Sequence, residues 1–295
     1  MTDLGVVIVN WNTRDLLRKC LETVMASEGL TFRVVVVDNA SPDGSASMVR
    51  DEFPQVELIA SETNDGFSKG NNRGLRHLGV DKGRLDPNAP RYMLLLNPDT
   101  EVPPDALAKM VQYLDRADRQ DVGAAGCKLV MLDGTLDLAC RRSFPTPEVS
   151  FYRMVGLSRL FPRSQRFGRY NMTYVDPDEE IEVDSVVGAF MMVRSAVIQQ
   201  IGLLDELYWM YGEDLEWAFR IKKAGWKIMY NPAITVLHVK RAASRQSQKA
   251  RVAFYQAMMK FYRDHYRATT PLWLHLLIML GLTLKGGRAV WRVPA

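Results

Sequence analysis

The stretch YMLLLNPDTEV, residues 92–102, decides the fold. Its first five residues, Tyr92 to Leu96, show no polar alternation and read as a strand buried on both faces. The chain leaves that strand through Asn97-Pro98-Asp99, which sets a carboxylate where the strand quits the core. Runs of the same kind lie upstream: LGVVIVN (4–10), FRVVVVD (32–38) and VELIA (56–60), and a short VGAAG (122–126) follows. Helical patterns separate them. Leu16, Leu17, Cys20, Leu21, Val24 and Met25 recur at helical spacing behind a cap at Asn12 or Thr13. DGSASMVRDEF reads as a short helix and GFSKGNNRGLRHLG as turn and helix. Residues 104–118 form the fourth helix, with Pro103 or Pro104 at its start. This repeated order predicts an α/β fold, a mostly parallel central sheet flanked by helices. In such sheets ligands bind beyond the carboxyl ends of the strands, where Asn10, Asp38 and Asp99 stand.

The 295 residues are enough for a substantial core, and 47% hydrophobic with 24% charged residues excludes a disordered or polytopic chain. A net charge of +4 gives no argument for nucleic acid. The charge is uneven, however. Residues 141–170 carry Arg141, Arg142, Arg153, Arg159, Arg163, Arg166 and Arg169 against Glu148. Residues 240–267 carry Lys240, Arg241, Arg245, Lys249, Arg251, Lys260, Arg263 and Arg267 against Asp264. Such blocks are either solvated faces or a surface that meets phosphates of lipids or substrate. Cys20, Cys127 and Cys140 form no CxxC pair, which fits a reduced cytosol, and the N-terminus shows no signal-peptide pattern.

Residues 127–182 are irregular, an excursion from the sheet; 181–202 read as strand then helix. From Ser244 to Arg267 an amphipathic helix carries the stripe Val252, Tyr255, Met259, Tyr262 and Tyr266. PLWLHLLIMLGLTL (271–284) follows, with Lys285, Arg288 and Arg292 behind it. Fourteen residues rise only about 21 Å as a helix, short of the roughly 20 residues a span needs. Flanking cations with Trp273 and Trp291 fit a helix lying in a bilayer interface; packing on the body or on a second subunit of a homo-oligomer is the other reading. The chain divides accordingly into residues 1–126, 127–240 and 241–295.

No G-x-G spacing, Walker A loop, GxSxG, HExxH or kinase signature occurs. A sheet without those loops can hold phosphates through a divalent cation on a carboxylate, and Asp99 suits that role, although Asn-Pro-Asp is equally good turn chemistry. Asp38 ends an early strand, where it either accepts from a ligand N–H or closes an Asx turn. Glu213 and Asp214 open the helix in YGEDLEWAFRIKKAGW (211–226). Adjacent helical residues point about 100° apart, so one acid can complement the dipole while the other faces a cleft as a general base.

VVIVNWN, VVVVDNASPDGS, NDGFSKGNNRG, LLLNPDTEV, GAFMMVRS and YGEDLEWAFRIKKAGW stand in the order found in family 2 inverting glycosyltransferases of the GT-A fold. The chain resembles most the bacterial rhamnosyltransferase-like branch, over about residues 4–240. By that resemblance residues 1–126 would bind a nucleotide-sugar, 127–240 would supply the acceptor and catalytic half, and 241–295 would associate with membrane. Asp38 would meet a pyrimidine, with Asn10, Asn64, Gly66, Lys69, Asn72 and Asn97 around the nucleotide. Asp99 would be the metal-binding acid, Asp214 the catalytic base and Glu213 its neighbour. Gly188, Trp209 and Tyr211 would face the acceptor, although the two aromatics are equally plausible as core. The sequence departs from the family's DxD motif at Asn97, and relatives place a histidine ligand where His238 stands; a nitrogen ligand would favour Mn²⁺ over Mg²⁺. His77, His265 and His275 are expected to be structural. The resemblance implies inverting transfer, with dTDP-rhamnose the first donor and a UDP-sugar the alternative. The acceptor would be a glycan or polyprenyl-diphosphate-linked saccharide at the cytoplasmic membrane face. A sugar-phosphate nucleotidyltransferase would need a glycine-rich N-terminal loop, which VNWNTRD is not; a non-catalytic scaffold would be expected to lack the acidic pair.

Overall fold

The computed structural model describes residues 2–239 and 248–291. Lys240, Arg241, Arg245, Arg292 and the expected helix start at Ser244 lie outside the described residues. In chain order the elements are β1 (Leu4–Asn10), α1 (Arg14–Met25), β2 (Phe32–Asp38), α2 (Ser45–Glu52), β3 (Glu57–Ala60) and α3 (Phe67–His77). A two-residue hairpin follows, β4 (Val80–Asp81) and β5 (Arg84–Leu85), then β6 (Tyr92–Leu96), β7 (Thr100–Glu101), α4 (Ala106–Asp115) and β8 (Val122–Val130). The remainder is α5 (Pro147–Met154), α6 (Leu157–Leu160), β9 (Ile181–Glu182), β10 (Phe190–Arg194), α7 (Ser195–Ile201), α8 (Glu213–Lys223), β11 (Lys227–His238), α9 (Gln248–His265) and α10 (Leu272–Gly286).

One sheet runs β3-β2-β1-β6-β10-β8-β11-β7, with β9 also on β11. Strands β3, β2, β1 and β6 are parallel, as are β8 and β11. β10 enters antiparallel between β6 and β8, pairing Phe190 with Leu96. That insertion has a consequence for the rim. The amino end of β10 meets the carboxyl end of β6, so Gly188 arrives beside Asn97, and the backbone N–H of Asn97 donates to the Ala189 carbonyl at 3.1 Å. Because β10 is antiparallel to both neighbours, β8 and β11 again run with β6 and also end at this rim.

Several expectations need correcting. The fifth strand is nine residues rather than five, because β8 continues past Gly126 along the second half of β11. The single strand expected ahead of the helix within 181–202 is two, β9 and β10, on different neighbours. The helix expected at 104–118 ends at Asp115, where Arg116 turns extended with ψ 143°. Thr13, one of the two expected caps, stands at the N-cap of α1, but its side chain makes no capping bond. Thr13 Oγ1 donates to Asn10 Oδ1, and the Arg14 N–H is satisfied by Asp43 Oδ2 at 2.8 Å. Arg141 and Arg142 do not belong to a phosphate-facing surface: both are buried, and Arg141 donates to the Val175 and Asp176 carbonyls. Lys260 is buried as well, paired with Asp205 and Asp264. The three cysteines are free and buried.

The aromatic and methionine stripe of α9 packs against α10 around Met259, Tyr262, Met279 and Leu282, while Ala257 and Phe261 meet Tyr208 and Leu215 of the body. α9 is thus the layer between the body and α10. His77 pairs with Glu57, His265 packs tilted against Phe219 and His275 bonds to the Tyr262 hydroxyl, so each has a partner within the fold.

Glycines 70 and 74 explain much of NDGFSKGNNRG. They lie one turn apart on α3, and a Cβ at Gly70 would meet Val9, one at Gly74 Val7, so α3 seats closely on β1 only with glycine there. We expect Gly74→Ala to destabilise the protein by about 1–3 kcal/mol through overpacking, read from urea denaturation.

Candidate active site

The rim gathers the ends of β1 (Asn10), β2 (Asp38), β6 (Asn97 to Asp99) and β11 (His238), the start of β10 and the start of α8. Backbone strain collects here too. Of four non-glycine residues with positive φ among the described residues, Asn12, Ala40 and Tyr211 lie in loops at this rim; Met172 does not. Each costs of order 1–3 kcal/mol, and such strain persists where the surroundings over-determine it, as at functional sites.

His238 is buried between two carboxylates. Its Nδ1 stands 2.9 Å from Asp137 Oδ2 and its Nε2 3.3 Å from Asp99 Oδ1. Burial works against charge on the ring, but Asp137 and Asp99 outweigh it and push the pKa up to about 9. The arrangement fits a cation. A carboxylate on one imidazole nitrogen fixes the ring and leaves the other for metal, and here that other nitrogen faces Asp99. Among the described residues no three His, Cys, Asp or Glu side chains gather as a cage. Two protein ligands suit a cation whose remaining positions go to substrate phosphates and water. Asp137 was missed by sequence reasoning, being 101 residues from His238 in an irregular segment.

The acidic pair divides. Asp214 Oδ2 accepts from Arg142 Nη2 at 2.8 Å and from the Gly188 N–H at 3.0 Å. The same Nη2 reaches the Val186 carbonyl and Ser185 Oγ. This ion pair is buried on both sides, at 9% and 7% side-chain exposure. Asp214 is therefore paired with a buried cation and aimed by a backbone donor. Asp214 Oδ1 accepts only the Leu215 N–H, so one of its two lone pairs remains to offer. Glu213 is the opposite case: burial, then the charge of Asp214, push its pKa up to about 8, and its Oε2 is buried with no hydrogen-bond partner. Of these two adjacent acids, one thus has a buried cation beside it and the other has its proton favoured. Arg142 carried no local signal, since its partner lies 72 residues away.

On the side of β1 and β2, Asp38 is 2% exposed, accepting from Asn10 Nδ2 at 2.8 Å and from the Ser41 N–H at 2.9 Å. The Asx turn is thus present, and the Asp38 carboxylate keeps lone pairs beyond those two bonds. Asn64 Oδ1 accepts from the Gly66 N–H, and Gly66 lies against Trp209, whose carbonyl accepts from the Phe67 N–H. Lys69 is exposed and 3.9 Å from Asp65. Asn72 is a correction. It is 1% exposed, and its amide exchanges bonds with the backbone of Leu204 in both directions, a clamp that takes it out of any donor pocket. Asn39 is a candidate not singled out from sequence: it is buried, donates to the Gly66 carbonyl, and leaves Oδ1 without a partner.

On the other side Tyr211 and Gly212, with φ of 71° and 82°, make the turn that presents Glu213 and Asp214. Tyr211 packs edge-on to Phe254 of α9, and Trp209 on Gly66 links this loop to α3. A separate cavity of about 420 Å³, lined by Phe144, Phe219, Lys222, Lys223, Asp264 and His265, sits at the other end of α8 from these acids.

The family model of glycosyltransferase like family 2 matches residues 2–257. The chain belongs to this family. It is 27% identical over 255 residues to an N-acetylglucosaminyl-diphospho-decaprenol L-rhamnosyltransferase of Mycobacterium tuberculosis, covering 86% of this chain and 81% of that protein. It is 26% identical to the rhamnosyltransferase WbbL of Escherichia coli, over 79% of this chain and 82% of the other. Among solved structures, a Pyrobaculum calidifontis mannosyltransferase in complex with GDP-Man and Mn²⁺ superposes with TM-score 0.59 at 18% identity, covering 98% of this chain and 74% of that one. GalNAc-T7 with UDP, GalNAc and Mn²⁺ gives 0.61 at 14%, covering 98% and 56%. The fold is that of GT-A glycosyltransferases, and the protein is a glycosyltransferase of polysaccharide synthesis.

Two outcomes are expected from the acidic pair. Arg142→Ala strands a buried carboxylate and should cost about 3–5 kcal/mol in chemical denaturation, with Arg142→Lys recovering part. Glu213 keeps its proton in the fold up to about pH 8 but loses it near 4.5 in the unfolded chain, so stability falls as pH rises between those values. Glu213→Gln should abolish that fall, gaining on the natural protein in melts above pH 8 relative to melts at acidic pH.

Proposed function

We propose that this glycosyltransferase transfers L-rhamnose from dTDP-rhamnose, with inversion, to a lipid-linked saccharide at the cytoplasmic face of the membrane. The observation that carries the reading is the pairing, at one rim, of an Asp99–His238 couple with an Asp214 carboxylate aimed by Arg142. Two relatives are named rhamnosyltransferases, which supports rhamnose, and the name of one includes a diphospho-decaprenol saccharide, which supports the acceptor class.

In this reading residues 1–126 hold the donor, with Asp38, Asn10, Asn64, Gly66, Lys69 and Asn97 around the nucleotide, and Asn39 joins them. Residues 127–240 carry the base and the acceptor side, where Gly188 positions Asp214 and Trp209 and Tyr211 offer aromatic faces. Asp99 and His238 would hold a divalent cation, Mn²⁺ favoured by the imidazole, and that cation supplies charge neutralisation on the diphosphate. Asp214 takes the proton of the acceptor hydroxyl as its oxygen bonds to the anomeric carbon, and the bond from that carbon to the diphosphate oxygen breaks. One displacement without an enzyme nucleophile inverts the anomeric centre. Arg142 contributes by pairing with Asp214 and aiming it. α10 lies against the membrane interface. No described helix is long and apolar enough to cross a membrane, which accords with an in-plane contact.

Thermal shift with dTDP, UDP and GDP, each with Mn²⁺, Mg²⁺ or EDTA, tests the donor half. A nucleotide at 100 times its Kd should add about 2.7 kcal/mol of stability, only with metal, and Asp99→Ala should remove the effect. A shift with UDP alone would name a UDP-sugar donor. No shift with any nucleotide would favour a non-catalytic scaffold. Asp214→Asn should retain the nucleotide shift while losing about 10²–10⁴ in turnover.

A further inference from the structure

α10 turns Trp273, Leu276, Leu277, Leu280 and Leu284 to solvent, each between 46% and 75% exposed. Their spacing of three and four places them on one face, opposite the Met279 and Leu282 side that packs on α9. A second set of exposed apolar side chains stands beside it on α5, α6 and the residue that follows each: Phe151, Val155, Leu160 and Phe161. The two sets belong to one body. Met154 of α5 fills the space over Gly281 of α10, where any side chain would collide with it, and Lys285 Nζ donates to the Met154 carbonyl at 3.3 Å.

The charge of these segments is one-sided. Residues 147–175 hold five arginines against the single acid Glu148, which pairs with Arg166; residues 265–291 hold Arg267, Lys285 and Arg288 with no acid. Arg153, Arg159 and Arg163 are exposed and alternate along the chain with the exposed apolar side chains. Apolar side chains interleaved with a surplus of cations match a surface of apolar chains under anionic headgroups.

We propose that α5, α6 and α10 together form one docking surface for an anionic lipid bilayer, in which α5–α6 is a second limb beside α10. The proposal rests on the reading of α10 as a membrane-contacting helix and adds to it an orientation. One in-plane helix leaves the body free to swivel about it, whereas two joined limbs fix the rim above the bilayer. A second copy of the chain is the rival occupant. A twofold contact through this face would set the same arginine fringe against itself, which opposes it.

Vesicle flotation of the full chain tests this, using phosphatidylcholine alone or mixed with phosphatidylglycerol, at low and high salt. The variants are the pair Leu160→Glu and Phe161→Glu, the pair Leu277→Glu and Leu280→Glu, and the pair Arg159→Gln and Arg163→Gln. Each is checked for an unchanged melting temperature. The natural protein should bind the phosphatidylglycerol vesicles at least about tenfold more tightly than the neutral ones, and salt should erode the difference. Each glutamate pair should lose about tenfold or more, and the glutamine pair should lose most of the preference for anionic lipid. Normal binding by the α6 pair with loss in the α10 pair would remove the second limb and leave the α10 reading standing. Absence of binding by the natural protein would remove both. A dimer in light scattering that the α10 pair dissociates, without vesicle binding, would give the face to a second copy and overturn the proposal.

Discussion

The imidazole of His238, clasped between Asp137 and Asp99, is the interaction on which the rim depends. Its three residues come from the end of β11, the segment after β8 and the turn after β6, so one side chain ties together both halves of the sheet. Without a cation on the ring, two buried or half-buried carboxylates would face each other across low-dielectric space. With it, Asp99 is held at the edge where a diphosphate would lie. Proton and metal ion meet the same need there in different measure, since a proton on the ring offsets one negative charge and a divalent cation two.

The same logic governs the other buried acids. Asp214 has Arg142 and a backbone N–H; Asp38 has the Asn10 amide and the Ser41 N–H. Glu213, given no such partner, has its proton favoured instead. The rim is therefore a set of carboxylates distinguished by their neighbours, Asp214 and Asp38 set among donors and Glu213 with its proton favoured. The antiparallel entry of β10 makes this possible, because it lets a backbone N–H at Gly188 reach Asp214 from beside the end of β6.

Much of this was legible in the sequence. β1 and β2 occupy the residues their apolar runs mark, since a strand buried on both faces has no polar interruption to blur its ends. The acids at the strand ends were visible for the same reason: polarity begins where the core stops. What was not legible is long-range. Arg142 and Asp137 have partners 72 and 101 residues away, and neither sits in a periodic segment. The direction of β10 could not be read either, because an apolar run looks alike in both orientations. Asn72 shows the converse error. An amide beside a glycine-rich turn looks like a ligand contact, yet it clamps Leu204, and two of the glycines serve the fit of α3 on β1.

The most direct measurement is pulsed electron paramagnetic resonance of Mn²⁺ bound together with dTDP. The account predicts coupling to phosphorus of the diphosphate and to one imidazole nitrogen, with His238→Ala removing the nitrogen signal alone. Phosphorus coupling without any nitrogen coupling in the natural protein would contradict it, because His238 would then not share the cation with the diphosphate.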